Sequence, residues 1–326
     1  MTDRRGDLDV VVLGGGGHVG LPLSLVFAQA GMRVGIYDTN QATLDSIAAG
    51  EMPFLENGAD ELLREVLAPG RLEFGAEGTM IERANTLVVV IGTPVDEFLG
   101  PSMTVFEKAV NQIAPHLRAG ALVVLRSTVY PGTTAYVTQH LAEAGCTVDV
   151  AFCPERVVQG NGIKELREMP QIVSGTSKEA EEEAVALFKK IAPEVVVIKP
   201  MEAEFAKLFS NAYRYIEFAA TNQFYMIAKS AGADYHAITL AMKHNYPRLK
   251  TLPRPGFAAG PCLFKDTMQL AAFARNQFGL GHAAMQVNEG LVLQLVDDLR
   301  RSFDVSTMTV GLLGMAFKAE IDDTRA

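Results

Sequence analysis

The sequence predicts an α/β fold with an N-terminal doubly wound sheet, a central helical domain carrying a long connecting helix, and the start of a truncated second domain of the first kind. Three observations predict it. Short apolar runs alternate with helical stretches between Leu8 and Ile198, the pattern of strands joined by crossover helices. Met201–Ala231 reads as one long helix of mixed polar and apolar content. Thr309–Phe317 then opens a new buried-type strand near the last residue, with no partner for its backbone groups, so the natural polypeptide is expected to continue. The 326 residues exceed one ordinary domain, and the patterns divide them into residues 1–200, 201–303 and 304–326.

Composition narrows the functional classes. Hydrophobic residues make up 48% and charged residues 21%, enough for a substantial core. A net charge of −9 argues against partnership with nucleic acid or with an anionic membrane. No apolar run approaches the length of a bilayer span, and glycines interrupt the N-terminal apolar stretch before a signal-peptide cleavage site can form. Cys146, Cys153 and Cys262 match no zinc spacing. No metal is expected, and so low a cysteine count suits a reducing, cytoplasmic setting.

Taken in order, Leu8–Leu13 is a valine-rich strand. Gly14–Gly17 follows, and His18-Val19-Gly20-Leu21-Pro22 opens a helix to about Ala30. Gly15, Gly17 and Gly20 have GxGxxG spacing, which permits a tight turn, approach to a pyrophosphate and close helix–strand packing; strand before and helix after make this a Rossmann-type fingerprint. A second strand, Arg33–Tyr37, ends in Asp38, about twenty residues on, where a carboxylate takes both hydroxyls of an adenosine ribose. Its charge repels a 2′-phosphate, so the expected cofactor is NAD rather than NADP. Helix capping is the other reading of Asp38.

Thr86–Ile91 is a strand leading into Gly92-Thr93-Pro94, and Met103–His116 is a helix. Ala121–Leu125 is a strand ending in Arg126-Ser127-Thr128, and Thr133–Ala144 is a helix after a Pro131-Gly132 turn. Val148–Phe152 ends in Cys153-Pro154-Glu155-Arg156. Thr93, Thr128 and Glu155 therefore converge on the carboxyl edge, where such sheets bind ligands. A strand–helix–strand piece follows: Gln171–Ser174, Lys178–Ile191 and Val195–Ile198. On the long helix, Glu204, Lys207 and Asn211 share a face, flanked by Phe205, Phe209, Ala212, Tyr215 and Ile216. That stripe reads either as a solvated charged face or as part of a largely buried helix of the kind that forms dimer cores. Pro255–Asp266 (PGFAAGPCLFKD) brings loop into helix at Cys262, the place where a thiolate is favoured, although a lone cysteine is more usually a small buried hydrophobe. Gly281–Phe303 is a second long helix.

These segments (GGGGHVGLPL, IGTP, RSTVYPGTT, CPERVVQG, EAEFAKLFSNAY, PGFAAGPCLFKD and VGLLGMAFKAEIDDTR) run in family order from Val10 to Arg325. Together they make the chain resemble the UDP-glucose/GDP-mannose dehydrogenase family of NAD-dependent nucleotide-sugar 6-dehydrogenases. The resemblance implies an NAD-binding domain, a central dimerisation and catalytic domain, and the first strand of a UDP-binding domain. It implies oxidation of a sugar C6 alcohol to a carboxylate through a cysteine thiohemiacetal and thioester, by a homodimer assembled through the central helix. Position in the motifs then gives Cys262 as nucleophile and Lys207 and Asn211 as oxyanion donors. Asp266 and Thr128 would position water, and Glu155 would act as base. Gly15, Gly17, His18, Val19, Gly20, Asp38, Thr93, Pro94 and Thr128 would hold NAD. Glu155, Arg156, Val157, Lys207, Asn211, Phe257, Gly260 and Lys265 would face the nucleotide sugar. Arg248 resembles an arginine that reaches a neighbouring subunit's substrate, or else is an exposed helix-end residue.

The chain departs from the family pattern at three places. Its cysteine loop reads GFAAGPC where GFGGSC is common, His18 replaces an aromatic or apolar residue, and Ile321 replaces a threonine. The longer loop and the PERVVQG segment resemble the branch acting on UDP-N-acetylhexosamines; UDP-glucose, dTDP-glucose and GDP-mannose are the alternative substrates. A two-electron hydroxyacid dehydrogenase shares the glycine loop and the Lys…Asn pair but leaves the cysteine loop unexplained. A non-catalytic nucleotide-sugar binder is the remaining reading.

Overall fold

The computed structural model describes residues 7–92 and 103–324. Strand β1 (Leu8–Leu13) carries Val10, Val11 and Val12, all fully buried, as expected of a strand covered on both faces. Helix α1 (Gly20–Gln29) returns the chain to β2 (Val34–Tyr37). Next come α2 (Gln41–Ala48), α3 (Ala59–Leu67), β3 (Leu72–Gly75), α4 (Thr79–Glu82) and β4 (Ala84–Val89). Helices α5 (Met103–Ile113) and α6 (Thr133–Glu143) flank β5 (Leu122–Leu125). Then β6 (Asp149–Phe152), α7 (Gly162–Glu168), β7 (Gln171–Gly175), α8 (Lys178–Phe188) and β8 (Val195–Val197) complete the sheet.

The strand order is β3-β2-β1-β4-β5-β6-β7-β8. Pairing is parallel from β3 to β6, antiparallel between β6 and β7, and parallel again between β7 and β8. Chain direction across the sheet switches at β1 and β4, which opens a crevice at their carboxyl ends. One face is sealed by a cluster including Leu21, Leu25, Phe27 and Phe188, the other by one including Phe106, Val110, Val137 and Leu141. The predicted strands and crossover helices are present with small shifts at their ends. Helices α2, α3, α4 and α7, the later helix Tyr235–Lys243 and the edge strand β3 were not anticipated; α4 and β3 are too short to show a period, whereas the apolar side of α3 (Ala59, Leu62, Leu63 and Val66, all buried) was passed over.

The described residues up to Lys207, with Glu320–Asp322, form one compact unit; Leu208–Ala319 with Asp323 and Thr324 form a second. Helix α9 (Pro200–Ser230) supplies residues to both. In the second unit, α10 (Tyr235–Lys243) is capped by Asp234, whose carboxylate accepts from the His236 and Ala237 N–H groups. Helices α11 (Leu263–Phe273) and α12 (Gly279–Ser302) follow. Tyr215, Ala219, Leu263 and Ala284 form its small apolar centre.

Two expectations need correction. Thr309–Phe317 forms no strand: it is irregular, with Leu312 84% and Leu313 100% exposed. No neighbouring strand is described beside it, so no ladder forms; at its end the Phe317 N–H donates to Asp323 O and the Phe317 ring lies against Gly260. Helix α9 is also less buried than its flanking aromatics suggested, since Phe209 and Tyr213 are 53% and 63% exposed.

Candidate active site

The carboxyl end of β1 turns through glycines into α1. Gly14 and Gly15 both donate to the Tyr37 carbonyl, at 2.9 and 3.1 Å, which fastens the turn to β2. A Cβ at Gly20 would lie 2.2 Å from the Gly14 carbonyl oxygen, and one at Gly15 2.7 Å from that of Val12. Only glycine fits at either place. Gly14 is equally constrained, since a Cβ there would fall 1.9 Å from the Val90 oxygen; the GxGxxG reading began one residue later and passed over it. Gly17 is exposed, and Val19 at the α1 N-cap offers no side-chain acceptor to the first-turn N–H groups. Asp38 closes the cradle: Oδ2 accepts from Gly16 N and Oδ1 from Asn40 N, each at 3.0 Å. Asn40, rather than Asp38, caps α2 by accepting from Thr43 N. Both carboxylate oxygens keep a lone pair for ribose hydroxyls. Glycines with no room for Cβ, an uncapped helix start and a carboxylate at the β2 end fit NAD. The His18 ring packs tilted against Phe54 at 4.1 Å between centroids, and its Nδ1 accepts from Gln159 Nε2 at 2.8 Å. Thr93 and Pro94 lie outside the described residues.

At the ends of β5 and β6 the sequence reading missed the anchor. Arg126 is fully buried. Its Nε donates to Glu155 Oε2 at 2.9 Å, while Nη2 lies 2.6 Å from the same oxygen, off the hydrogen-bond line. Nη1 donates to Cys153 O and Gln171 Oε1, and the guanidinium sits 5.0 Å from the centre of the Phe188 ring. Glu155 Oε1 accepts from the backbone N–H groups of Arg156 and Val157, at 2.7 and 2.9 Å. Glu155 is thus clamped from both sides, and only the buried arginine next to a strand end signalled it. The Arg156 side chain donates to the Pro170 carbonyl. Ser127 Oγ accepts from Ile91 N at 2.9 Å, tying the ends of β4 and β5 together, and Thr128 follows half-buried. Glu204, predicted on a polar stripe with Lys207 and Asn211, instead caps α6. Its carboxylate accepts from Gly132 N at 2.6 Å, Thr134 N at 2.8 Å and Thr134 Oγ1 at 2.5 Å. Lys207 is half-buried, one turn before Asn211 on α9.

In the second unit Cys262 is the N-cap residue of α11 and is exposed. The other thiols are poor nucleophiles: burial pushes Cys153 up to about 12 and raises Cys146 as well. One turn on, Asp266 is fully buried in a favourable place near a helix start. Asn211 Nδ2 donates to its Oδ2 at 2.5 Å, and Lys265 Nζ lies 2.6 Å from its Oδ1. Four predicted residues, Cys262, Lys265, Asp266 and Asn211, are therefore assembled on α11 and the facing part of α9. Phe257 is 56% exposed, and Gly260 lies against the Phe317 ring. Arg248, in the short 3-10 turn Pro247–Leu249, is exposed; it donates to Tyr246 Oη at 3.0 Å and packs over that ring. No helix of the described residues is long and apolar enough to cross a membrane.

Comparison with known proteins assigns the chain to a family. The NAD binding domain of the UDP-glucose/GDP-mannose dehydrogenase family matches residues 9–192, and the central domain of that family matches residues 201–290. A UDP-N-acetyl-D-mannosamine dehydrogenase of Pyrococcus horikoshii is 31% identical over 95% of this chain and 76% of its own length. An NDP-N-acetyl-D-galactosaminuronic acid dehydrogenase of Ralstonia nicotianae is 31% identical over 99% of this chain and 79% of its own. The structure of a UDP-glucose dehydrogenase from Pyrobaculum islandicum superposes with a TM-score of 0.88 at 27% identity, covering 100% of this chain and 78% of that one. The glycine cradle, the clamped glutamate and the cysteine at the start of α11 thus belong to a member of the UDP-glucose/GDP-mannose dehydrogenase family.

Proposed function

We propose that the chain is a UDP-N-acetylhexosamine 6-dehydrogenase that takes the sugar C6 alcohol to a carboxylate in two NAD-dependent steps. The observation that carries the reading is Cys262, exposed at the start of α11 and one turn from an Asp266 bonded by Asn211 and Lys265, while burial raises the pKa of both other thiols. The acetamido-sugar assignment rests on the PERVVQG segment, the long cysteine loop and the two relatives named for N-acetylated sugars.

NAD held by Gly15, Gly17, Val19, Gly20 and Asp38 supplies the hydride acceptor. The first oxidation leaves C6 as an aldehyde, and Cys262 Sγ adds to that carbon to form a C–S bond. The charge gathers on O6, where Lys207 supplies a cation and Asn211 the second N–H of its amide, the first being given to Asp266. Fixing C6 to the protein as a thiohemiacetal holds it for the second oxidation, which leaves a thioester. Water attacks the acyl carbon, Glu155 accepts the water's proton, and the C–S bond breaks to return the thiol and release the acid. Asp266 and Thr128 orient that water. Arg156, Val157, Phe257, Gly260 and Lys265 bind the sugar nucleotide, and Arg248 reaches the neighbouring protomer's substrate. A second copy of the chain covers the exposed stripe Phe209, Tyr213, Phe224 and Ile227 of α9.

The test is a product mass spectrum from UDP-, GDP- and dTDP-sugars, with NADH counted per sugar. We expect two NADH per UDP-N-acetylhexosamine, and a Cys262→Ser protein that binds NAD but releases no acid. Full-rate acid production by that variant would sink the thioester route, and preferential turnover of UDP-glucose would move the substrate assignment.

A further inference from the structure

Two buried asparagines in the second unit have no place in the chemistry above. Asn222, on α9, is fully buried, and Asn288, on α12, is 4% exposed. Their amides form a closed set of hydrogen bonds. Asn222 Oδ1 accepts from Gly256 N at 2.8 Å, and Asn222 Nδ2 donates to Gly256 O at 2.9 Å. The same Nδ2 donates its other hydrogen to Asn288 Oδ1 at 2.9 Å, and Asn288 Nδ2 donates to Tyr215 O at 3.0 Å. Desolvating two amides is costly unless every group is paired, and here the pairing is directed at one residue of the loop leading to Cys262. That loop has a second anchor. Gly260, at φ +98°, presents its backbone to the Phe317 ring, where a Cβ would sit 3.0 Å from a ring carbon. Between the anchors lie Phe257, exposed, and Ala258, packed into the apolar centre.

We infer that Asn222, seated by Asn288, is a positioning residue that sets the shape of the Pro255–Pro261 loop and thereby the placement of Phe257 toward the sugar nucleotide and of Cys262 at the head of α11. The inference rests on the proposed reaction for its consequence in turnover but not for the clamp itself. Without Asn222 the two backbone groups of Gly256 lose these partners, leaving the packing of Ala258 and the Gly260–Phe317 contact to hold the loop.

The test uses the whole chain with Asn222→Ala and, because a buried change can compromise folding, Phe317→Ala at the partly exposed second anchor. Amide exchange at Gly256 reads the clamp directly. Asn222→Ala should lose about tenfold or more of its protection, the equivalent of one net hydrogen bond. Phe317→Ala should loosen Gly260 while leaving Gly256 protected. With UDP-N-acetylmannosamine and UDP-glucose as probes, Asn222→Ala should raise the sugar KM and lower kcat, with the NAD Kd unchanged because the glycine cradle belongs to the other unit. A merely structural asparagine would lower the melting temperature and leave the loop's exchange and the sugar KM as in the parent. Unaltered exchange at Gly256 in a folded Asn222→Ala protein would overturn the clamp. If the parent chain turns over neither sugar, the proposed reaction fails, and the exchange result still decides the clamp on its own.

Discussion

At the scale of single residues, burial and hydrogen bonding distinguish side chains of the same chemistry. Cys153 and Cys262 have the same chemistry and opposite surroundings. Burial keeps Cys153 protonated up to about 12, so at pH 8 it is no nucleophile, whereas Cys262 stands exposed at a helix start. Glu155 is held by a buried arginine and two backbone N–H groups; removing Arg126 would strand a carboxylate in a dry site. Asp38 gives the sharpest test at this scale. Its oxygens brace the glycine turn through Gly16 and present charge where a 2′-phosphate would come. Asp38→Asn should weaken NAD binding about tenfold, the worth of a charged hydrogen bond, and narrow the gap to NADP. Calorimetric titration of both nucleotides checks this, and an unchanged NAD to NADP ratio would refute the role. Asp38 was legible in the sequence because strand, glycines and acid stand at a fixed spacing. Arg126, Asn222 and Asn288 were not, because their partners are 29, 34 and 73 residues away.

At the scale of elements, the helix ends explain more than the helix faces. Helix α6 starts after Gly132, which has no side chain to cap it, and Glu204 reaches across from α9 to accept three hydrogen bonds there. Spacing alone put Glu204 beside Lys207 and Asn211, but spacing does not say what each side chain meets: Glu204 meets Gly132 and Thr134, and Asn211 meets Asp266. Glu204→Ala should cost about 1–3 kcal/mol, as loss of a buried helix cap does, and amide exchange should localise the damage to the first turn of α6. A loss of turnover without loss of stability would place Glu204 in the chemistry instead. Strand β3 escaped the sequence reading for another reason. Edge strand β3 is only half-buried throughout, so it has no run of large apolar residues to betray it.

For the whole molecule, the doubly wound sheet could be read from the alternation of patterns, because central strands such as β1 and β5 are largely buried and show as apolar, valine-containing runs. The end of the chain could not. Thr309–Phe317 has the composition of a buried strand, but composition forms no strand where no described neighbour completes the ladder. Oligomeric state is a prediction of this scale too. Phe209, Tyr213, Phe224 and Ile227 recur at positions that return to one side of α9, and a second copy is the proposed cover. Tyr213→Glu should convert a dimer to a monomer in light scattering; a monomeric parent would remove the assignment. Helix α9 has one more consequence. Lys207 and Asn211 are one turn apart on it, and Asn211 meets Asp266 only at its present rotation. Adding a single residue between them would swing everything beyond by about 100°, a third of a circle, while lengthening the helix by only ~1.5 Å. A one-residue insertion after Lys207 would therefore break the Asn211–Asp266 hydrogen bond through a change of phase rather than of distance.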